Sequence, residues 1–344
     1  MNILENFSSS YLEARDKFIK AALMAGANIF PYKHLLTGPN NECLFTDVAY
    51  TGNRNAKKIL IIVSGVYGIE GIVGSAIQTT FLKKLKSSIN ENVGILFVHA
   101  INPYGLSHIR RENEDNIDLN RNFISFDKEL PVNDTFSSFF NVLHIHNWDK
   151  KENLKDDEKE LIKKTIALGQ YSHPKGLFFG GHKLTWSNIT FSHVLKNFAF
   201  LAEEVILLDL QAGYKNHDQV KALCFHDVNS DNFSLSSELF SGILQVEPSS
   251  YIKGSLVDKV NSFLKNTKVL PLVIRNGDSE LEALEVLRED NWLYNYGDPK
   301  SDLGKEIKRS LKSAIYPNLE ELRLSVLTKS FDALDSSYQY LMKS

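Results

Sequence analysis

The sequence predicts an α/β sandwich around a largely buried mixed sheet. Continuous apolar runs such as Lys57 to Val63 and Val205 to Leu208 suit strands covered on both faces. Segments of helical period alternate with these runs, as layered α/β folds require. With 344 residues that are 43% hydrophobic, the chain can bury a sizeable core.

The elements follow in order. Residues 8–25 read as an amphipathic helix with caps offered by Ser8 to Ser10. Strands are predicted at 43–50, 57–64, 93–101, 176–180, 204–210, 220–226 and 268–275. Helices are predicted at 71–87, 156–168, 189–202, 252–265 and 279–291. In the first of these, Val73, Ile77, Phe81 and Leu85 share one face. The segment 124–155 carries mixed signals and reads as loop with a short helix. From 301 onward the pattern is helical, broken near Pro317, and ends in Leu319 to Met342. We read one domain over 1–344, with a helical C-terminal appendage from about 301.

A net charge of −3 gives no broad pull toward nucleic acid or anionic membrane, so neither is expected as a partner. The run Lys83-Lys84-Leu85-Lys86 reads as a solvated helix face. The start of the chain lacks a basic region followed by a long apolar one. No window approaches the length of a membrane span, so a cytoplasmic location is expected. Cys43 and Cys224 lie far apart and suggest neither a disulfide framework nor a metal knuckle.

Two stretches could carry chemistry. In Ser64-Gly-Val-Tyr-Gly-Ile-Glu-Gly71 a buried strand turns through glycines into a helix. A strand running into H-x-x-E is one way a zinc hydrolase presents two ligands to one metal. Glu70 keeps that spacing, but Tyr67 replaces the histidine, and a neutral phenol is a poor zinc ligand. The second stretch, Asn102 to Phe123, follows a strand end, where α/β sheets place ligand-binding loops. It holds Arg110, Arg111, Asn120, Arg121 and Asn122, groups that suit a carboxylate. The alternative is a loop held by internal ion pairs with Glu112, Glu114, Asp115 and Asp118, which composition alone favours.

Together with N-P-Y-G-x-x-x-x-R-R-x-N-E from Asn102 and D-L-N-R-N-F from Asp118, these motifs resemble the zinc carboxypeptidase superfamily. The chain is most similar to a bacterial subgroup of unassigned function. The resemblance runs from Phe7-Ser-Ser-Ser-Tyr11 to Gly297-Asp-Pro299. It implies a three-layer α/β/α sandwich around a mixed, mainly parallel sheet of about eight strands.

The family mechanism needs zinc with an open position, a glutamate base, and arginines for the substrate carboxylate. By resemblance, Tyr67 stands at the first zinc histidine and Glu70 at the second ligand. In Asp209-Leu-Gln-Ala-Gly213, Gln211 stands at the third ligand, again a histidine in the family. Arg275-Asn-Gly-Asp278 best matches the catalytic glutamate segment, which puts Arg275 at the base. A phenol, an amide and a single carboxylate hold zinc poorly, and an arginine is no base. Arg110, Arg111, Asn120 and Arg121 match the carboxylate-holding groups.

The expectation is a degenerate zinc carboxypeptidase-like protein with no metal cofactor. It binds a small carboxylate or peptide C-terminus, or serves as the protein partner of an active relative. The alternative is a working hydrolase with a non-standard site, using Glu70 with His108, His173 or His182. His144-Ile-His146 has metal-like spacing but lies in the poorly patterned region, and Ser64 lacks a nucleophile-elbow context. The glycines from Gly65 to Gly74 do not match a dinucleotide-binding fingerprint. Charge balance further predicts that Arg275 fills the former metal site and pairs with Glu70.

Overall fold

The computed structural model describes residues 3–85, 92–155, 157, 162, 165–166, 168–240, 243–245, 253–278 and 283–344. Among the described residues, eight strands form one sheet: β1 Asn28–Thr37, β2 Cys43–Thr51, β3 Lys58–Ser64, β4 Val93–His99, β5 Glu204–Ala212, β6 Val220–Cys224, β7 Ile243–Gln245 and β8 Lys268–Asn276. Their spatial order is β1-β2-β4-β3-β5-β8-β6-β7. The four central strands, β4, β3, β5 and β8, run parallel. Antiparallel pairing of β2 on β4 and of β6 on β8 flanks them. The sheet is therefore mixed and parallel at its centre, as the apolar runs implied.

Those runs are continuous because both faces are covered. In β3, Leu60 and Ile62 face one core, while Ile59, Ile61 and Val63 face another. In β5, Ile206, Leu208 and Leu210 join the first core, and Val205 and Leu207 the second. The first core is closed by α1 (Tyr11–Met24) and α2 (Gly71–Lys84). The second is closed mainly by helices at Trp186–Phe198 and Leu256–Phe263. Alternation at a period of two thus sends each strand's side chains into two layers.

The C-terminal helices, Asp302–Ile315 and Glu320–Lys343, contribute Leu311, Ile315, Val326, Leu327, Leu334 and Leu341 to the larger core. Among the described residues no helix is long and apolar enough to cross a membrane.

Several expected elements differ. The run 176–180 is not a strand: Leu177, Phe178 and Phe179 are buried in a loop, with only an isolated bridge from Phe179 to Gln170. Phe178 adopts a left-handed φ of 55°, which no strand accommodates. Strands β1 and β7 went unpredicted. β1 is an edge strand, mostly exposed, with Pro31 inside it, so it lacks both an apolar run and clean alternation. The helix expected at 189–202 begins at Trp186, capped by Thr185, and ends at Phe198. The helix expected at 156–168 lies mostly outside the described residues, as does the start of the one expected at 279–291.

Candidate functional site

The site is built on the C-terminal ends of β3, β5 and β8. At the end of β3, Ser64 Oγ donates to Gln78 Oε1 at 3.0 Å. Gln78 Nε2 in turn donates to the Ile62 and Val98 carbonyls at 3.0 and 3.2 Å. This ties the strand end, its neighbour β4 and α2 together. The chain then turns at Gly68, φ 45°, where a Cβ would lie 2.1 Å from the Arg110 carbonyl oxygen. Only glycine fits that approach. The adjacent Ile69 N–H donates to the same carbonyl at 2.8 Å, so the turn is locked to the arginine loop. Tyr67 and Glu70 flank Gly68 and are both 3% exposed.

On β5, Asp209 and Gln211 share the face of Val205 and Leu207. Parallel register places Gln211 directly beside Arg275 of β8. Gln211 uses both ends of its amide: Nε2 donates to Asp209 Oδ2 at 2.7 Å, and Oε1 accepts from Arg275 Nη2 at 3.0 Å. Asp209 is 1% exposed. Burial pushes its carboxyl up to about 7 against the opposing pull of Gln211 and Arg275. The ends of β5 and β8 are closed by paired backbone bonds between Tyr214 and Asp278, 2.9 and 3.0 Å.

Arg275 was expected to pair with Glu70. Its hydrogen bond goes instead to Gln211, because the ladder fixes 211 and 275 as same-face neighbours. A carbonyl oxygen, not a carboxylate, receives the guanidinium.

The arginine loop is a buried ionic network. Arg110 donates from Nε to Asp290 Oδ2 (3.2 Å) and from Nη2 to Asn116 Oδ1 (2.8 Å), and lies 3.7 Å from the Tyr294 ring centre. Asp290 also receives Lys308 at 2.5 Å, which brings in the C-terminal helix Asp302–Ile315. Arg111 Nη1 meets Asp118 Oδ2 at 2.9 Å and Glu112 Oε1 at 3.3 Å. Its guanidinium lies over the rings of Tyr67 (4.0 Å) and Phe178 (5.0 Å). Arg121 Nη1 shares Asp118 Oδ2 at 3.2 Å. Burial works to raise the Asp118 pKa, but the two guanidiniums outweigh it and hold the carboxyl below its ordinary value. Burial dominates at Glu112 and raises it, despite Arg111 and Arg110. Asn120 accepts the Leu256 N–H at 2.8 Å and so orients the helix Leu256–Phe263. The internal ion pairs considered from composition are therefore present, with Asp118 and Glu112 among the partners.

Residues 7–329 match the family described as proteins of unknown function, DUF2817. The chain belongs to that family. No curated protein sequence matches it. Among solved structures, bovine thrombin-activatable fibrinolysis inhibitor, in complex with tick carboxypeptidase inhibitor, superposes with a TM-score of 0.51 at 11% identity, over 99% of both chains. A metallo-carboxypeptidase from Burkholderia cenocepacia gives a TM-score of 0.46 at 9% identity, covering 95% of this chain and 69% of that one. Carboxypeptidase A from Helicoverpa armigera gives 0.46 at 10% identity, covering 89% and 73%. This member of DUF2817 thus has a carboxypeptidase-like fold.

The donor set of this DUF2817 chain does not suit the metal that such a fold implies. The resemblance puts Tyr67 and Gln211 at the imidazole positions, and a phenol with an amide engaged at both ends does not replace two imidazoles. Among the described residues no three His, Cys, Asp or Glu side chains are grouped to hold a metal ion.

The remaining histidines have local roles. His144 Nε2 bonds the Tyr296 hydroxyl at 2.9 Å. Burial, then His146 and Lys175, push His144 down to about 4. His173 stacks on Phe140 at 4.2 Å and meets Ser137 Oγ at 3.0 Å. His182 donates to the Tyr171 carbonyl at 2.8 Å, and His108 to that of Thr37 at 3.1 Å.

Sequence reasoning missed Asp209, Asp290, Lys308 and Phe178 as site residues. Asp209 was visible two positions before Gln211, which is same-face spacing on a strand. The others depend on pairings across more than one element.

Proposed function

We propose that this chain is a carboxypeptidase-like protein that binds a carboxylate-bearing ligand, such as a peptide C-terminus, without zinc-dependent hydrolysis. One observation carries the reading: Gln211, at the place of a zinc imidazole, is clamped between Asp209 and Arg275. A clamped amide offers no open metal position, and a guanidinium cannot remove a proton from water. Asp209 is too deeply buried to activate water in its stead. Arg275 places a cation at the ends of β5 and β8, which favours a ligand anion.

Metal analysis and a hydrolysis assay test this together. The expected result is substoichiometric zinc after purification in zinc-supplemented medium, and no release of C-terminal residues from a peptide mixture. One tightly held zinc per chain, or sustained turnover abolished by Glu70→Gln, overturns the reading.

A further inference from the structure

The arginine loop is the obvious carboxylate receptor, yet its guanidiniums are buried against Asp118, Glu112 and Asp290. Arg275 differs. It is only partly buried, and its one hydrogen bond among the described residues takes one Nη2 hydrogen, leaving the second Nη2 hydrogen to form a fork with Nε or Nη1. An arginine presents its donors as a planar fork that matches a carboxylate.

Register extends the pattern one strand further. Arg275 of β8 lies opposite Lys221 of the antiparallel strand β6, and directly opposed residues share a face. Gln211, Arg275 and Lys221 therefore form one rung across β5, β8 and β6: amide, guanidinium, ammonium. Among the described residues, one carboxylate forms an ion pair with the rung. Asp278 lies 3.8 Å from Lys221 and also receives Asn216 Nδ2 at 2.7 Å. Asp209 contacts the Gln211 amide, not either cation. The rung is also rigid. Paired backbone bonds join Tyr214 to Asp278, and the Gly277 N–H donates to the Gln219 carbonyl at 2.8 Å. A preset receptor loses little entropy on binding.

We propose that the Gln211–Arg275–Lys221 rung is the carboxylate receptor of this chain, with the Arg275 fork taking the carboxylate oxygens and Lys221 supplying a second charge. This rests on the reading that the protein binds a carboxylate. Arg110, Arg111 and Arg121 then hold the loop and do not receive the ligand.

Calorimetry with benzoylglycyl-phenylalanine and its C-terminal amide tests the assignment. The native protein should prefer the acid by about tenfold or more, the range for a charge-assisted hydrogen bond. Arg275→Gln should abolish that preference. Arg275→Lys should restore part of it, because charge returns without the fork. Lys221→Gln should weaken acid binding several-fold and flatten its salt dependence. Far-ultraviolet dichroism and urea midpoints confirm that each variant is folded. If Arg275→Gln is folded and still prefers the acid as the native protein does, the rung is not the receptor, although carboxylate binding stands. If the native protein binds acid and amide equally, or binds neither, the functional reading itself fails.

Discussion

The Arg111 guanidinium lies 4.0 Å from the centre of the Tyr67 ring, inside a shell where both side chains are almost fully buried. A cation over an aromatic face is held by the ring quadrupole, and burial strengthens the attraction. Tyr67 therefore supports the arginine loop from below, a role that histidine would fill less well.

Rebuilding the metal site should be possible with two changes. On the proposed reading, Tyr67→His with Gln211→His sets imidazoles at the two matched positions alongside the Glu70 carboxylate, and zinc titration should show tighter binding than in the native protein. On the same reading the double variant should not hydrolyse peptides, because the resemblance puts Arg275 at the position of the base. A double variant that binds zinc no better than the native chain would show that these positions do not converge.

The Asp118 network sets the stability of the loop. Arg111→Met leaves Asp118 with Arg121 and should cost about 3–5 kcal/mol, as breaking a buried pair does. Adding Asp118→Asn should then cost less than its own single effect, which urea denaturation of all four proteins measures.

The turn at Gly68 has no room for a side chain. Gly68→Ala would set a Cβ 2.1 Å from a backbone oxygen at a φ of 45°. We expect a loss of more than about 2 kcal/mol by chemical denaturation, since the turn is locked to the arginine loop through the Arg110 carbonyl.

Asp209 gives stability a distinct pH dependence. Its folded pKa of about 7 lies above the ordinary value of 3.8, so the folded state holds a proton that the unfolded state releases. The contribution is complete below the lower value and is lost as pH rises toward the higher one. Asp209→Asn should remove this slope, and the native-minus-variant difference in urea midpoint should fall between pH 4 and 7. A flat difference would mean that Asp209 is ionised throughout.

Much of the fold was legible because the central strands are buried on both faces, which writes continuous apolar runs into the sequence. The edge strand β1 was not, since Pro31 and exposed side chains remove the signal. The run at Leu177 to Phe179 misled in the other direction, because burial there serves Arg111 and Arg121 and not a sheet. At the site, the resemblance put Tyr67 and Gln211 at the positions of imidazoles. The partner of Arg275 was not readable, because it depends on a strand register that pairs 275 with 211.

The Gln211–Arg275 contact also bears on supply. A metal ion is acquired after synthesis and can be lost, exchanged for a competitor or stripped by a chelator. A guanidinium arrives with translation and stays charged at every physiological pH. The charge of Arg275 thus arrives with the polypeptide, and the same folding event that forms the sheet sets it beside Gln211.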